Sequence, residues 1–155
     1  IMNPLKIFII VLVVILIGIQ LVPSSLPETN SDISKDISKT HDISDDVKII
    51  LHKACYDCHS NQTVYPWYSK VAPSSWLVAR DTREGREELN FSDWSDLSKR
   101  KKVKYVKEIA ENVEKKEMPL KIYTVIHRDA VLSDEEIKTL TDWTKAQSKL
   151  LISGE

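Results

Sequence analysis

Residues 7–22 read IFIIVLVVILIGIQLV, an apolar run interrupted only by Gly18 and Gln20. As a helix the run spans roughly 24 Å, a little short of the ~30 Å hydrocarbon core of a bilayer. It has no polar face with which to border water, so it is not the amphipathic wall of a soluble core. Residues 1–22 are therefore expected to form a signal-anchor, a single transmembrane helix that is kept. A cleaved signal peptide is the second reading. The following LVPSSLPETN carries no A-x-A cleavage pattern, and no cysteine follows for lipid attachment. Lys6, ahead of the run, predicts a cytoplasmic N-terminus and an exported remainder.

The composition changes abruptly after this segment. Residues 23–43, PSSLPETNSDISKDISKTHDI, are dominated by Ser, Asp, Lys and Thr, and DIS recurs at 32–34, 36–38 and 42–44. So polar a stretch is expected to be a flexible linker, with His41 solvated at its end. The globular part is then 44–155, a small domain with a limited core, which a large buried cofactor would help to fold.

That part reads as helices. Ser44 is placed to cap a helix with acids in its first turn. Val47, Ile50, Leu51 and Ala54 give it one apolar face. Pro73 suits the first turn of a helix through SSWLVARDTREGREEL, leaving near Leu89, with Ser92 expected to cap the next turn. Val103, Val106, Ala110 and Val113 form the stripe of a third helix. In the last, Ser133 and Glu136 form a capping box and Leu132 and Ile137 a hydrophobic staple, with Leu140 and Trp143 continuing the apolar face. No segment alternates with period two between hairpin turns, so the fold class is all-α.

Charge and composition exclude several functions. The formal net charge is -1, so nothing global points to nucleic acid. With 3 glycines and neither G-x-G-x-x-G nor G-x-x-x-x-G-K-[ST], no phosphate loop is present. The chain has 2 cysteines, too few for a multi-bridge scaffold.

Both cysteines fall in one motif, Cys55-Tyr56-Asp57-Cys58-His59. C-x-x-C-H is the attachment signature of c-type haem. Two thiols one helical turn apart can form thioethers to the two vinyl groups on one edge of the macrocycle. The adjacent histidine is then held against the iron. A thioredoxin-like dithiol uses the same cysteine spacing but wants a preceding strand in a βαβ context, and here a helix pattern precedes. A structural zinc site needs four ligands, and no second pair stands at usual spacing.

A sixth iron ligand is sought 59 residues beyond His59, in KKEMPLKIY. Met118 precedes Pro119, which should end the helix before it and fix an extended loop. A thioether there raises the potential and suits one-electron transfer. His127 is the rival ligand, and His52 is expected on an exposed helix face. Tyr65, Pro66, Trp67, Tyr68, Trp76, Phe91 and Trp94 form an aromatic-rich stretch expected to wall the haem and the small core, with Tyr65, Trp67 and Trp76 the candidates for the haem pocket itself. Arg80, Arg83 and Arg86 are candidates to pair with a haem propionate. SKRKKVK, residues 98–104, is a solvated helix face or a docking patch for an acidic redox partner, with anionic lipid a further contact.

CYDCH, then KEMP, then LSDEEIKTLTDW resembles the layout of class I cytochromes c, with Trp143 at the aromatic position of the C-terminal helix. More specifically, ACYDCHSNQTVYPWYSKVAPSSW followed by GREELNFSDW resembles the bacterial haem-binding domain family over about residues 45–147. The resemblance implies thioethers at Cys55 and Cys58, His59 as proximal ligand and Met118 as distal ligand. It also implies a short, membrane-anchored protein of the bacterial envelope. The sequence departs from class I cytochromes at Lys116 and Glu117, where glycine is common, and in a longer segment 61–100.

The expectation is thus a membrane-tethered, all-α protein with one covalent haem c. It would carry single electrons on the extracytoplasmic (periplasmic) side to a redox partner protein, as a carrier and not an enzyme. Two alternatives stand beside it, a haem-based sensor or peroxidase-like protein with an open distal site, and a haem-free thiol-disulfide protein.

Overall fold

The structure, a computed structural model, describes residues 3–40 and 43–153; the reading of His41 lies outside them. Seven α-helices and short 3-10 turns account for the regular structure, and no strand occurs among the described residues. The all-α expectation is met.

Helix α1, Pro4–Gly18, is capped by the Asn3 side chain and continues as a 3-10 turn, Ile19–Leu21. None of its side chains is buried. Pro4–Leu21 is long and apolar enough to cross a membrane, a test that a membrane anchor and a signal sequence both pass.

The domain is built on four longer helices. In α2, Asp45–Ala54, the Ser44 hydroxyl accepts from the Val47 amide, and Val47, Ile50, Leu51 and Ala54 are the buried face, as their spacing predicts. The chain re-forms at once as α3, Tyr56–His59, so the C-x-x-C-H motif is itself a helical turn. α4, Ser74–Glu88, starts directly after Pro73 and stops at Leu89. α5, Lys99–Glu114, buries Val106 and Val113. A short α6, Lys121–Ile126, precedes α7, Asp134–Ser153.

α7 packs against α5 and α2, bringing Leu140 and Trp143 into one core with Val47, Leu51, Phe91, Val106 and Val113. Its capping box is reciprocal: the Glu136 amide donates to Ser133 Oγ at 3.2 Å, and the Ser133 amide donates to Glu136 Oε2 at 2.9 Å. The other oxygen of Glu136 takes the Lys53 ammonium at 2.5 Å, tying α7 to α2.

Three expectations need correction. Residues 23–43 are not a free tether over their described length. Ile37 is buried in the core, and Asp36 is fully buried beneath it. The Asp36 carboxylate accepts from Tyr56 Oη at 2.6 Å, from the Ser38 amide and from Gln62. Hydrogen bonds from the Asn30 amide to the Asn61 carbonyl and from the Ser95 amide to the Lys35 carbonyl extend the contact. Two inward side chains and backbone pairing suffice to order a segment too polar to build a core alone. Ser92 does not cap the 3-10 turn Phe91–Asp96; the Asn90 side chain does, accepting from the Ser92 amide. The hydroxyl of Ser92 is taken by the Asn61 amide instead. Finally, α5 ends before the Met-Pro step. Lys116 adopts a positive φ of 55°, and the amides of Glu117 and Met118 return to the Asn112 carbonyl.

Candidate functional site

The motif turn opens onto a cavity of about 680 Å³, within the range of roughly 300–1,000 Å³ usual for small-molecule and cofactor sites. One wall is Ala54, Cys55, Cys58 and His59. A second is the face of α4 carrying Leu77, Val78, Asp81, Thr82 and Gly85 at helical spacing. The remaining wall combines Tyr65, Trp67 and Tyr68 with Met118, Ile122 and His127.

The approach of α4 to the motif depends on Gly85. A Cβ at this position would lie 2.7 Å from the backbone oxygen of Cys58, so only glycine lets the two helices meet this closely. The same helix end delivers Leu89, whose carbonyl lies 3.0 Å from His59 Nδ1. With Nδ1–H donating to that carbonyl, Nε2 is the ring nitrogen that keeps a free lone pair. Burial lowers the imidazole pKa below 6.5, opposed by the backbone acceptors of Leu89 and Gly85. The neutral ring is the form that binds a metal.

Both cysteines are free thiols. Burial pushes Cys55 up to about 12, with Cys58 beside it adding to the shift. Cys58 is pushed up to about 11 by burial, then by Asp57 and Asp81. Thiols so placed are protonated near neutrality, opposite to the lowered values of redox-active dithiols.

Across the cavity, Tyr68 Oη lies 2.5 Å from His127 Nε2. Tyr123 stacks on the same imidazole with ring centroids 4.2 Å apart and donates its hydroxyl to Asp57 at 2.8 Å. This pair links the Met-Pro side of the cavity back to the motif. The Tyr123 pKa is raised, first by burial and then by the bond to Asp57.

Met118 and His127 therefore border the same cavity as His59, and Tyr65 and Trp67 are among its lining residues. Trp76 does not. It lies off the lining face of α4 and directs its indole N–H to the Val22 carbonyl at 3.3 Å. The three arginines are engaged elsewhere: Arg80 with Asp81, Arg83 with the Ser25 carbonyl, and Arg86 with the Glu28 carbonyl and Thr63. Gly85, Leu77, Val78 and Tyr123 are additions to the residues expected from the sequence. The α4 residues follow from helical spacing once the motif is known to face that helix; Tyr123 required the tertiary contact.

A mostly apolar, aromatic-walled cavity with a histidine at its edge has the make-up of a small-molecule or cofactor site. A family model described as "Haem-binding domain" matches residues 14–146, and the chain belongs to that family. No curated protein and no solved structure matches it.

The residues present fit a haem. The cavity lining is mostly apolar, His59 borders it with Nδ1 held by the Leu89 carbonyl and Nε2 left available, and the thiols of Cys55 and Cys58 border it one turn apart.

Proposed function

We propose that this haem protein is a membrane-tethered c-type cytochrome. It would hold one covalent haem and carry single electrons on the extracytoplasmic side of a bacterial envelope. The observation that carries the reading is the convergence of Cys55, Cys58, His59 and Met118 on one cavity. Cys55 and Cys58 would form the thioethers, His59 Nε2 would be the proximal ligand and Met118 the distal one. The bound group supplies a one-electron couple.

The chain's own residues do the rest. The Leu89 carbonyl fixes the His59 tautomer and ring orientation. The Leu77–Val78 face and the aromatic wall give the cavity a mostly apolar lining. The Tyr68 bond occupies His127 Nε2, which favours Met118 over His127 as distal ligand. The chemistry the haem would supply is outer-sphere electron transfer, which asks no bond-making of this chain's residues, and no catalytic residue is assigned. The helix α2 that leads into the motif, where a thioredoxin-like dithiol wants a strand in a βαβ unit, disfavours the haem-free thiol-disulfide alternative.

The experiment is an oxidised and reduced visible spectrum of protein matured with haem-attachment machinery, before and after an acid-acetone wash. A c-type spectrum that survives the wash is expected, with a methionine–iron charge-transfer band that Met118→Ala abolishes. Haem removed by the wash refutes thioether attachment. Covalent haem without the methionine band transfers support to the second reading, a sensor or peroxidase-like protein. The Tyr68–His127 pair at the cavity wall is the observation in that reading's favour.

A further inference from the structure

We propose that the exposed apolar face made by the turn Trp67–Lys70 and helix α6 rests in the headgroup layer of an anionic bilayer, so that the cavity opens at the membrane surface. The inference rests on the reading of Pro4–Leu21 as a retained anchor.

Four large apolar side chains on this face stand in solvent: Trp67 is 79% exposed, Val125 63%, Ile126 62% and Ile122 57%. They are one surface and not scattered singles, because Tyr68 and His127, the next residues along from Trp67 and Ile126, are hydrogen-bonded at 2.5 Å. A patch of this kind marks a docking surface.

Its position identifies the occupant. The end of the anchor helix is fastened beside it. The Gln20 side chain donates to the Ala72 carbonyl at 3.0 Å and accepts from the Ala72 amide at 2.9 Å. Trp67 precedes Ala72 by five residues, four of the intervening ones in or next to the same turn. At roughly 2 Å per residue in a 3-10 turn, Trp67 lies within about 10 Å, along the chain, of the point where the anchor meets the domain. A tryptophan that close to the end of a membrane helix is at headgroup depth, where amphipathic rings collect.

Charge agrees. Within 66–72 and 121–129 the charged residues are Lys70, Lys121 and Arg128 against Asp129, all exposed. Apolar side chains bordered by Lys and Arg are the composition of segments that lie in an interface and prefer anionic lipid. Trp67, Ile122 and Ile126 also border the cavity, so the face and the cavity mouth point the same way.

The test uses the full haem-loaded chain in vesicles of phosphatidylglycerol and phosphatidylcholine in equal parts. A ketone-bearing residue replaces Val125 or, as a control on α5, the exposed Glu111, and carries a nitroxide. Collision of the nitroxide with a water-soluble nickel complex is measured by electron paramagnetic resonance. A side chain at the acyl boundary leaves water, so nickel accessibility at 125 should fall at least about fivefold below that at 111. Equal accessibility at the two positions, with the chain still floating with the vesicles, overturns the proposal and leaves the anchor reading standing. A chain that fails to float with the vesicles overturns the anchor reading, and the proposal with it.

Discussion

Single residues decide how closely the motif can be approached. Gly85 has no room for a methyl group against the Cys58 carbonyl. Gly85→Ala should therefore push α4 away from the motif and destabilise the domain by about 1–3 kcal/mol, read from denaturant titration, with a matching fall in haem incorporation. Tyr56 is the second such position. Its buried hydroxyl makes the shortest of the hydrogen bonds, from Tyr56, Ser38 and Gln62 among others, that satisfy the buried Asp36 carboxylate. Tyr56→Phe should cost about 1–3 kcal/mol, and limited proteolysis should then cut first within 25–40. Protection of that stretch unchanged from the parent would contradict the role assigned to Asp36. The Cys-x-x-Cys-His turn was legible because its meaning lies in spacing along the chain. Gly85 was not, because its neighbour is 27 positions away in sequence and only the folded chain brings them together.

Helices carry their own predictions through their ends. Glu136 closes the capping box of α7 and receives Lys53 from α2, and that hydrogen bond is the first reason its pKa lies below the ordinary 4.5. A carboxylate held low stabilises the fold fully above the unfolded-state value and loses that contribution as pH falls through its folded value. Thermal melts should show parent and Glu136→Gln separated at neutral pH and converging below about pH 4; a gap constant with pH would refute the Lys53 contribution. α5 shows the converse. Its first turn holds Lys99, Arg100, Lys101 and Lys102 and no acid, against the positive end of the helix dipole. Lys101→Glu with Lys102→Glu should raise stability by roughly 0.5–1 kcal/mol. If the cluster docks an acidic partner, the same change should slow electron exchange at low salt; unchanged kinetics would reject docking there. Helix caps and faces were readable from sequence because they are local, as the α2 face and the α7 box show. Trp76 was misplaced because an aromatic residue near the motif says nothing of which side of α4 it takes.

At the scale of the whole molecule, residues 25–40 decide how the parts combine. Polar composition suggests a free spacer, but composition cannot reveal that Ile37 joins the core cluster that holds Leu51 and Phe91 or that Arg83 and Arg86 hold the carbonyls of Ser25 and Glu28. Replacing both arginines by alanine should release this stretch, and amide hydrogen exchange over 23–30 should quicken while the core helices keep their protection. Left extended, the stretch from 22 to 40 would reach roughly 60 Å. Folded back on the domain, it contributes almost none of that length. With the apolar helix in the bilayer, as proposed, the haem-binding domain cannot cast about in the space above the membrane. It is confined to a thin layer, and its encounters become a two-dimensional search among neighbours drifting in the same sheet of lipid.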